Sequence, residues 1–115
     1  SVKLNVFCSL SDIDFFKQLP FGICLDTAHC IMAANYENQD PANWISALLP
    51  ISKHIHIADA KGVDGEGVPF GLGDLDITSI PLGNSEVRAV VEQWEGHLHD
   101  YKGFKEGLRV ISMLK

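Results

Sequence analysis

Three short strand-like segments in this chain each carry, at or near their end, a side chain that can hold a metal ion. Residues 21–26 (FGICLD) close on Asp26, residues 53–59 (KHIHIAD) contain His56, and residues 87–92 (VRAVVE) close on Glu92. The first is a continuous apolar run that reads as a strand covered on both faces, the usual condition in a parallel sheet, and the other two read as strands. Side chains alternate across a strand. If Asp26 faces one way, so do Cys24 and Gly22, while Leu25 and Ile23 face the other. His56 then shares a face with His54 and Ala58, opposite Ile55 and Ile57, and Glu92 shares one with Val90 and Arg88, opposite Val91 and Ala89. In every run the more apolar side is the one without the acid or imidazole.

The spacing of these groups limits the architecture further. Residues 26, 56 and 92 stand 30 and 36 positions apart. A (β/α)₈ barrel of about 250 residues spends about 31 residues on each unit. The polar strand ends would then converge at the C-terminal face of the sheet, where barrel active sites lie.

Helix signals fall between the runs. Ser11 with Asp14 three residues on reads as a capping box, and Ile13, Phe15, Phe16 and Leu19 suit a short helix that Pro20 ends. Asp40-Pro41 reads as an N-cap followed by proline at the first helical position, ahead of a helix ANWISALL that Pro50 stops. The stretch between Asp26 and Asp40 reads as a polar connection, and residues 1–8 as a short extended segment. Residues 60–76 hold five glycines and read as one long loop, of the kind that in compact domains is usually functional. A final helix is expected over roughly 103–114. The order is helix, strand, helix, strand, loop, strand, helix. Such alternation predicts an α/β fold with parallel strands. We read residues 1–115 as a single domain, a partial (β/α)₈ TIM barrel comprising roughly its last three β/α units, the C-terminal portion.

Composition removes several function classes. A formal net charge of −6 repels phosphate backbones, and no run of Lys or Arg compensates, so no nucleic-acid partner is expected. The apolar stretches are too short to span a bilayer, so no membrane association is expected either. Cys8, Cys24 and Cys30 are odd in number and lack C-x-x-C spacing, which reads as reduced thiols in a cytoplasmic protein. Each thiol is expected to pack as a small apolar side chain.

Carboxylates combined with imidazole suit one divalent metal ion of the Mn²⁺, Zn²⁺, Co²⁺ or Mg²⁺ type. Such an ion polarises a carbonyl, and a nearby carboxylate can then move a proton at the neighbouring carbon. That is the chemistry of aldose–ketose isomerisation or epimerisation.

The segments GICLDTAHC, HIHIADAKG, GLGDLD (71–76) and VVEQWEGH resemble the last motifs of the xylose-isomerase-like, or sugar phosphate isomerase/epimerase, superfamily. The likeness spans residues 21–110, and that superfamily includes the endonuclease IV branch. It implies a barrel with one divalent ion held by Glu, Asp, His and Glu, of which Asp26, His56 and Glu92 match the last three. His29 matches a histidine that touches substrate in the isomerases and metal in the endonucleases. EQWEGH (92–97) is similar to the end of barrel domains associated with nonulosonic acid biosynthesis. The first metal-binding Glu of the pattern would fall at or before residue 1, and SVKLNVFC holds no acid.

The resemblance makes the expected function a divalent-metal-dependent sugar or sugar-phosphate isomerase or epimerase of carbohydrate metabolism. Glu92 and His29 are the expected catalytic groups, Asp26, His56 and Glu92 the metal ligands, and His29, Trp94, His97 and Lys61 the substrate contacts. The expected partners are a sugar or sugar-phosphate substrate and either self-association or the missing N-terminal half of the barrel.

Plainer roles stand beside these. Asp26 can cap a helical turn through the Thr27 or Ala28 amide, His29 can be its partner, and His54 can be a hydrogen-bonded core residue. Asp59 and Lys61 can form a loop ion pair, Glu66 and Asp74 can order the loop, and Trp44 and Trp94 can pack. Two other functions compete. One is a non-catalytic barrel module attached to a sugar-acid biosynthesis protein. The other is an endonuclease IV-like phosphodiesterase, opposed by the acidic charge and by a 60–76 loop without histidine.

Overall fold

A computed structural model describes residues 9–80 and 88–113. The expected extended segment 1–8 lies outside them. The described chain is α/β, with a three-stranded parallel sheet at its centre.

The first element is a short helix, α1 (Ile13–Lys17), entered through a 3₁₀ turn at Leu10–Asp12. Its cap corrects the sequence reading. Ser9 rather than Ser11 caps the 3₁₀ turn, its Oγ accepting from the Ser11 amide at 3.4 Å, and the N-cap position of α1 falls on Asp12, whose side chain makes no capping bond.

Strand β1 (Ile23–Asp26) runs directly into helix α2 (Thr27–Tyr36). The stretch expected to be a polar connection is therefore mostly helix. Asp26 supplies the N-cap, and the amide it caps is that of His29, at 3.0 Å, not those of Thr27 or Ala28. The helix ends in a Schellman motif. Asn38 takes the left-handed conformation (φ 55°), its amide donates to the Asn35 carbonyl, and the Gln39 amide reaches back to the Ala34 carbonyl at 2.8 Å. Helix α3 (Pro41–Leu48) follows as expected, with Asp40 Oδ1 accepting from the Ala42 amide at 2.9 Å.

Strand β2 (Ser52–Ile57) pairs in parallel with β1, and strand β5 (Arg88–Val91) pairs in parallel with the other side of β2. Between β2 and β5, the segment expected to be a single loop carries an antiparallel hairpin, β3 (Asp59–Lys61) with β4 (Gly65–Val68). Helix α4 (Leu98–Ser112) closes the described chain. It starts five residues earlier than expected because a left-handed turn at His99, Asp100 and Tyr101 precedes its regular part.

The core lies on one side of the sheet. Leu25, Ile55 and Ile57 are buried there against Ile31 of α2 and Trp44 and Ile45 of α3. Burying an isoleucine such as Ile31 or Ile57, each fully covered, contributes about 1.5–3 kcal/mol. Trp44 packs as the sequence suggests, with its indole N–H donating to Gln39 Oε1 at 2.6 Å. The buried hydroxyl of Thr27 ties α2 to the end of β2. It donates to the Ala58 carbonyl at 2.6 Å and accepts from the Ala58 amide at 2.9 Å. The opposite face of the sheet carries Cys24, Asp26, His54, His56 and Val90, none of them buried.

Candidate metal centre

Register places the polar strand ends side by side. Asp26 is paired with His56, and His56 with Val90, two positions before Glu92. The Glu92 amide continues the ladder by donating to the Ile57 carbonyl at 2.9 Å. The alternation argued from the sequence thus holds in β1 and β2, whereas in β5 Ala89 is exposed like Arg88 and Val90 and only Val91 is half-buried. Each apolar side of β1 and β2 enters the core, and each side bearing an acid or imidazole faces the open side.

Asp26, His56 and Glu92 each present one ligand atom, and these atoms lie within 4.8 Å of one another. His56 Nδ1 is 3.1 Å from Glu92 Oε1. The donor set fits a divalent cation chemically, because two carboxylates and one imidazole suit ions of borderline to hard character. Asp26 does two jobs at once, since Oδ1 caps α2 while Oδ2 lies 3.3 Å from His29 Nδ1.

His29 is held between two acids. Its Nε2 lies 3.2 Å from Glu66 Oε1, a carboxylate delivered by the β3–β4 hairpin. Asp26, His29 and Glu66 form a second group of donors within 4.8 Å, adjoining the first through Asp26. The sequence reading gave Glu66 a loop-ordering role and left out its reach to His29. No residue spacing betrays it, because the hairpin that carries Glu66 reads as a glycine-rich loop.

A cavity of about 580 Å³ opens beside Glu92, lined by Glu66, Gly67, Val90, Gln93, Trp94 and Phe104 among others. Trp94, expected to touch substrate, stands in its wall with 75% of its surface exposed. The other three expected contacts do not line it, His29 standing between Asp26 and Glu66 instead. Lys61 pairs with Asp74 Oδ1 at 3.0 Å, His97 occupies the N-cap position of α4, and neither lines this cavity.

The expected Asp59–Lys61 ion pair does not form. Asp59 is fully buried and accepts four backbone amides, Ala60 and Leu75 on Oδ1 and Gly71 and Gly73 on Oδ2. Asp74 orders the loop, as expected. Its Oδ2 accepts from the Gly62 amide at 2.8 Å and from Asn35 Nδ2 at 3.1 Å. The Gly62 bond and the Lys61 ammonium hold its carboxyl below the ordinary value of 3.8. Burial pushes the Cys30 thiol up to about 12, whereas Cys24, on the open face, is raised by desolvation and by the charges of Asp26 and Glu92.

Among the described residues no helix is long and apolar enough to cross a membrane. Set against known proteins, the chain matches no family model, no curated protein and no solved structure.

Proposed function

We propose that Asp26, His56 and Glu92 bind one divalent cation at the C-terminal strand ends of a xylose-isomerase-like (β/α)₈ barrel, and that the site isomerises or epimerises a sugar or sugar phosphate. The observation that carries this reading is the convergence of three metal-capable side chains from three parallel strands, all at the same end of the sheet. A cation held there would polarise a substrate carbonyl and so acidify the C–H beside it.

The chain's own groups have defined tasks in that reaction. Glu92 accepts the proton from carbon, a role supported by its 46% exposed side chain and the cavity beside it. His29 carries a proton between Asp26 and Glu66, each within 3.3 Å of one of its ring nitrogens, and so returns or removes a proton on oxygen. Trp94 and Phe104 supply flat apolar walls against which the C–H faces of a sugar can lie, while Gln93 and Glu66 offer polar atoms to its hydroxyls.

The test is calorimetric titration of the whole chain with Mn²⁺, a hard ion that prefers oxygen donors, repeated on Glu92→Ala and His56→Ala. The expected result is near-stoichiometric binding that weakens at least about tenfold in both variants. A parent protein that takes up no Mn²⁺, or variants that bind it equally well, would remove the basis of the proposal. Conversion of free and phosphorylated aldoses by the loaded protein then decides the reaction.

A further inference from the structure

The open face of the sheet holds a second, chemically different donor set one layer below the strand ends. Cys24 and His54 are register partners on neighbouring strands, and His56 follows His54 two residues on, on the same face. Adjacent strands lie about 4.8 Å apart, which suits ligands from both to one ion. Cys24 Sγ and a ring nitrogen from each histidine lie within 4.8 Å of one another. The two rings meet edge to face with centroids 5.1 Å apart.

The plain reading of these residues is packing, and among the described residues nothing covers this face of the sheet. A cysteine acting as a small apolar side chain belongs on the covered side of its element, where Cys30 sits at 5% exposure. Cys24 is exposed and projects from the face that the core leaves bare. His54 was expected to be hydrogen-bonded within a core, yet it is only half-buried and its ring forms no hydrogen bond among the described residues.

We infer that Cys24, His54 and His56 form a binding site for a thiophilic divalent cation, Zn²⁺ in the first instance, distinct in chemistry from the carboxylate site above it. A thiolate with two neutral imidazoles is a soft-to-borderline donor set, which Zn²⁺ and Co²⁺ accept and Mg²⁺ does not. Metal–sulfur bonds of about 2.3 Å and metal–nitrogen bonds of about 2.0–2.1 Å require the donors to close in from their present spacing by side-chain rotation. Three protein ligands leave a fourth tetrahedral position open. Binding releases the Cys24 proton to solvent, so the bound set carries one negative charge against the ion's two. Register also places Arg88 beside His54. That positive charge opposes a cation, so affinity depends on the thiolate. His56 belongs to both donor sets, so a thiophilic ion drawing on Cys24 competes with a hard ion drawing on Glu92.

The experiment is Co²⁺ titration of the whole chain followed by near-ultraviolet absorption, in a Cys8→Ser/Cys30→Ser background that leaves Cys24 as the sole thiol. The expected result is a thiolate-to-cobalt charge-transfer band. Zn²⁺ displaces it and Mg²⁺ does not. Cys24→Ser should abolish the band, and His54→Ala should lower Zn²⁺ affinity by more than the roughly 10–100-fold typical of an outer-shell partner. Cys24→Ser and His54→Ala alter residues outside the core, and circular dichroism checks that both variants and the background itself, in which buried Cys30 is replaced, keep their secondary structure. Glu92→Ala separates the two sites, since it should leave the band intact while losing Mn²⁺ binding. Absence of a band in the parent, or a band that survives Cys24→Ser, would overturn the inference whatever the Mn²⁺ result.

Discussion

Asp59 illustrates what a carboxylate needs when it has neither water nor a cation. It is completely inaccessible, and its two oxygens collect four backbone amides at 2.8–3.1 Å from residues spread over 60–75. Burying an unpaired carboxylate is prohibitive, and here the backbone of one loop replaces the lost solvent. Asp59→Ala leaves those four amides facing a gap. We expect a loss of about 3 kcal/mol or more in urea unfolding, because each bond to a charged acceptor contributes roughly 1.5–3 kcal/mol. A loss below about 0.5 kcal/mol, the level of an ordinary surface change, would mean that water satisfies the amides equally well. None of this is readable from sequence, since the donors are main-chain groups of glycines, an alanine and a leucine. Asp26, His56 and Glu92 were legible for the opposite reason. Each is a side chain at or near the end of a strand-like segment, and strand alternation predicts which way it faces.

At the scale of elements, what the sequence hid has a common cause. Helix α2 reads as no helix because it is covered nearly all round. Thr27, Ala28, Cys30, Ile31, Met32, Ala33 and Ala34 are all buried, so its apolar residues trace no 3.6-residue stripe. Helix α3 has a polar side and a proline-marked start, and it was found. The β3–β4 hairpin was missed because Gly65 and Gly67 occupy its second strand, and glycine argues against strand. Gly67 is required there. Its φ is 74°, a Cβ at that position would lie 2.8 Å from the Trp94 nitrogen, and its carbonyl accepts the Trp94 amide at 2.8 Å. This contact ties the hairpin bearing Glu66 to the loop bearing Trp94. Gly67→Ala adds left-handed strain of about 1–2 kcal/mol before any clash. We expect it to lower stability by at least that amount and to speed hydrogen exchange at the Trp94 amide. Unchanged exchange would show that the hairpin holds its place without this contact.

At the scale of the molecule, the sheet is finished on one face and unfinished on the other. Helices cover the side bearing Leu25, Ile55 and Ile57, while Val90 on the other side keeps 46% of its surface exposed beside Cys24, His54 and His56. Among the described residues β1 and β5 each pair on one side only, so both margins of the sheet present free backbone groups. Free margins next to an uncovered face favour association with another strand. In a closed barrel that face would be the interior and the margins would not exist. We therefore expect the chain on its own to self-associate, with sedimentation velocity giving a dimer or larger species whose proportion rises with concentration. Val90→Lys places a charge on the uncovered face at one margin, a device that blunts edge pairing, and should shift the distribution toward monomer. The variant leaves every member of the Asp26–His56–Glu92 group in place, but its added positive charge stands beside His56, so Mn²⁺ affinity should fall along with association. A monodisperse parent monomer that melts cooperatively would show instead that these margins and this face are tolerated in water, and that the chain stands as a folded unit without a partner.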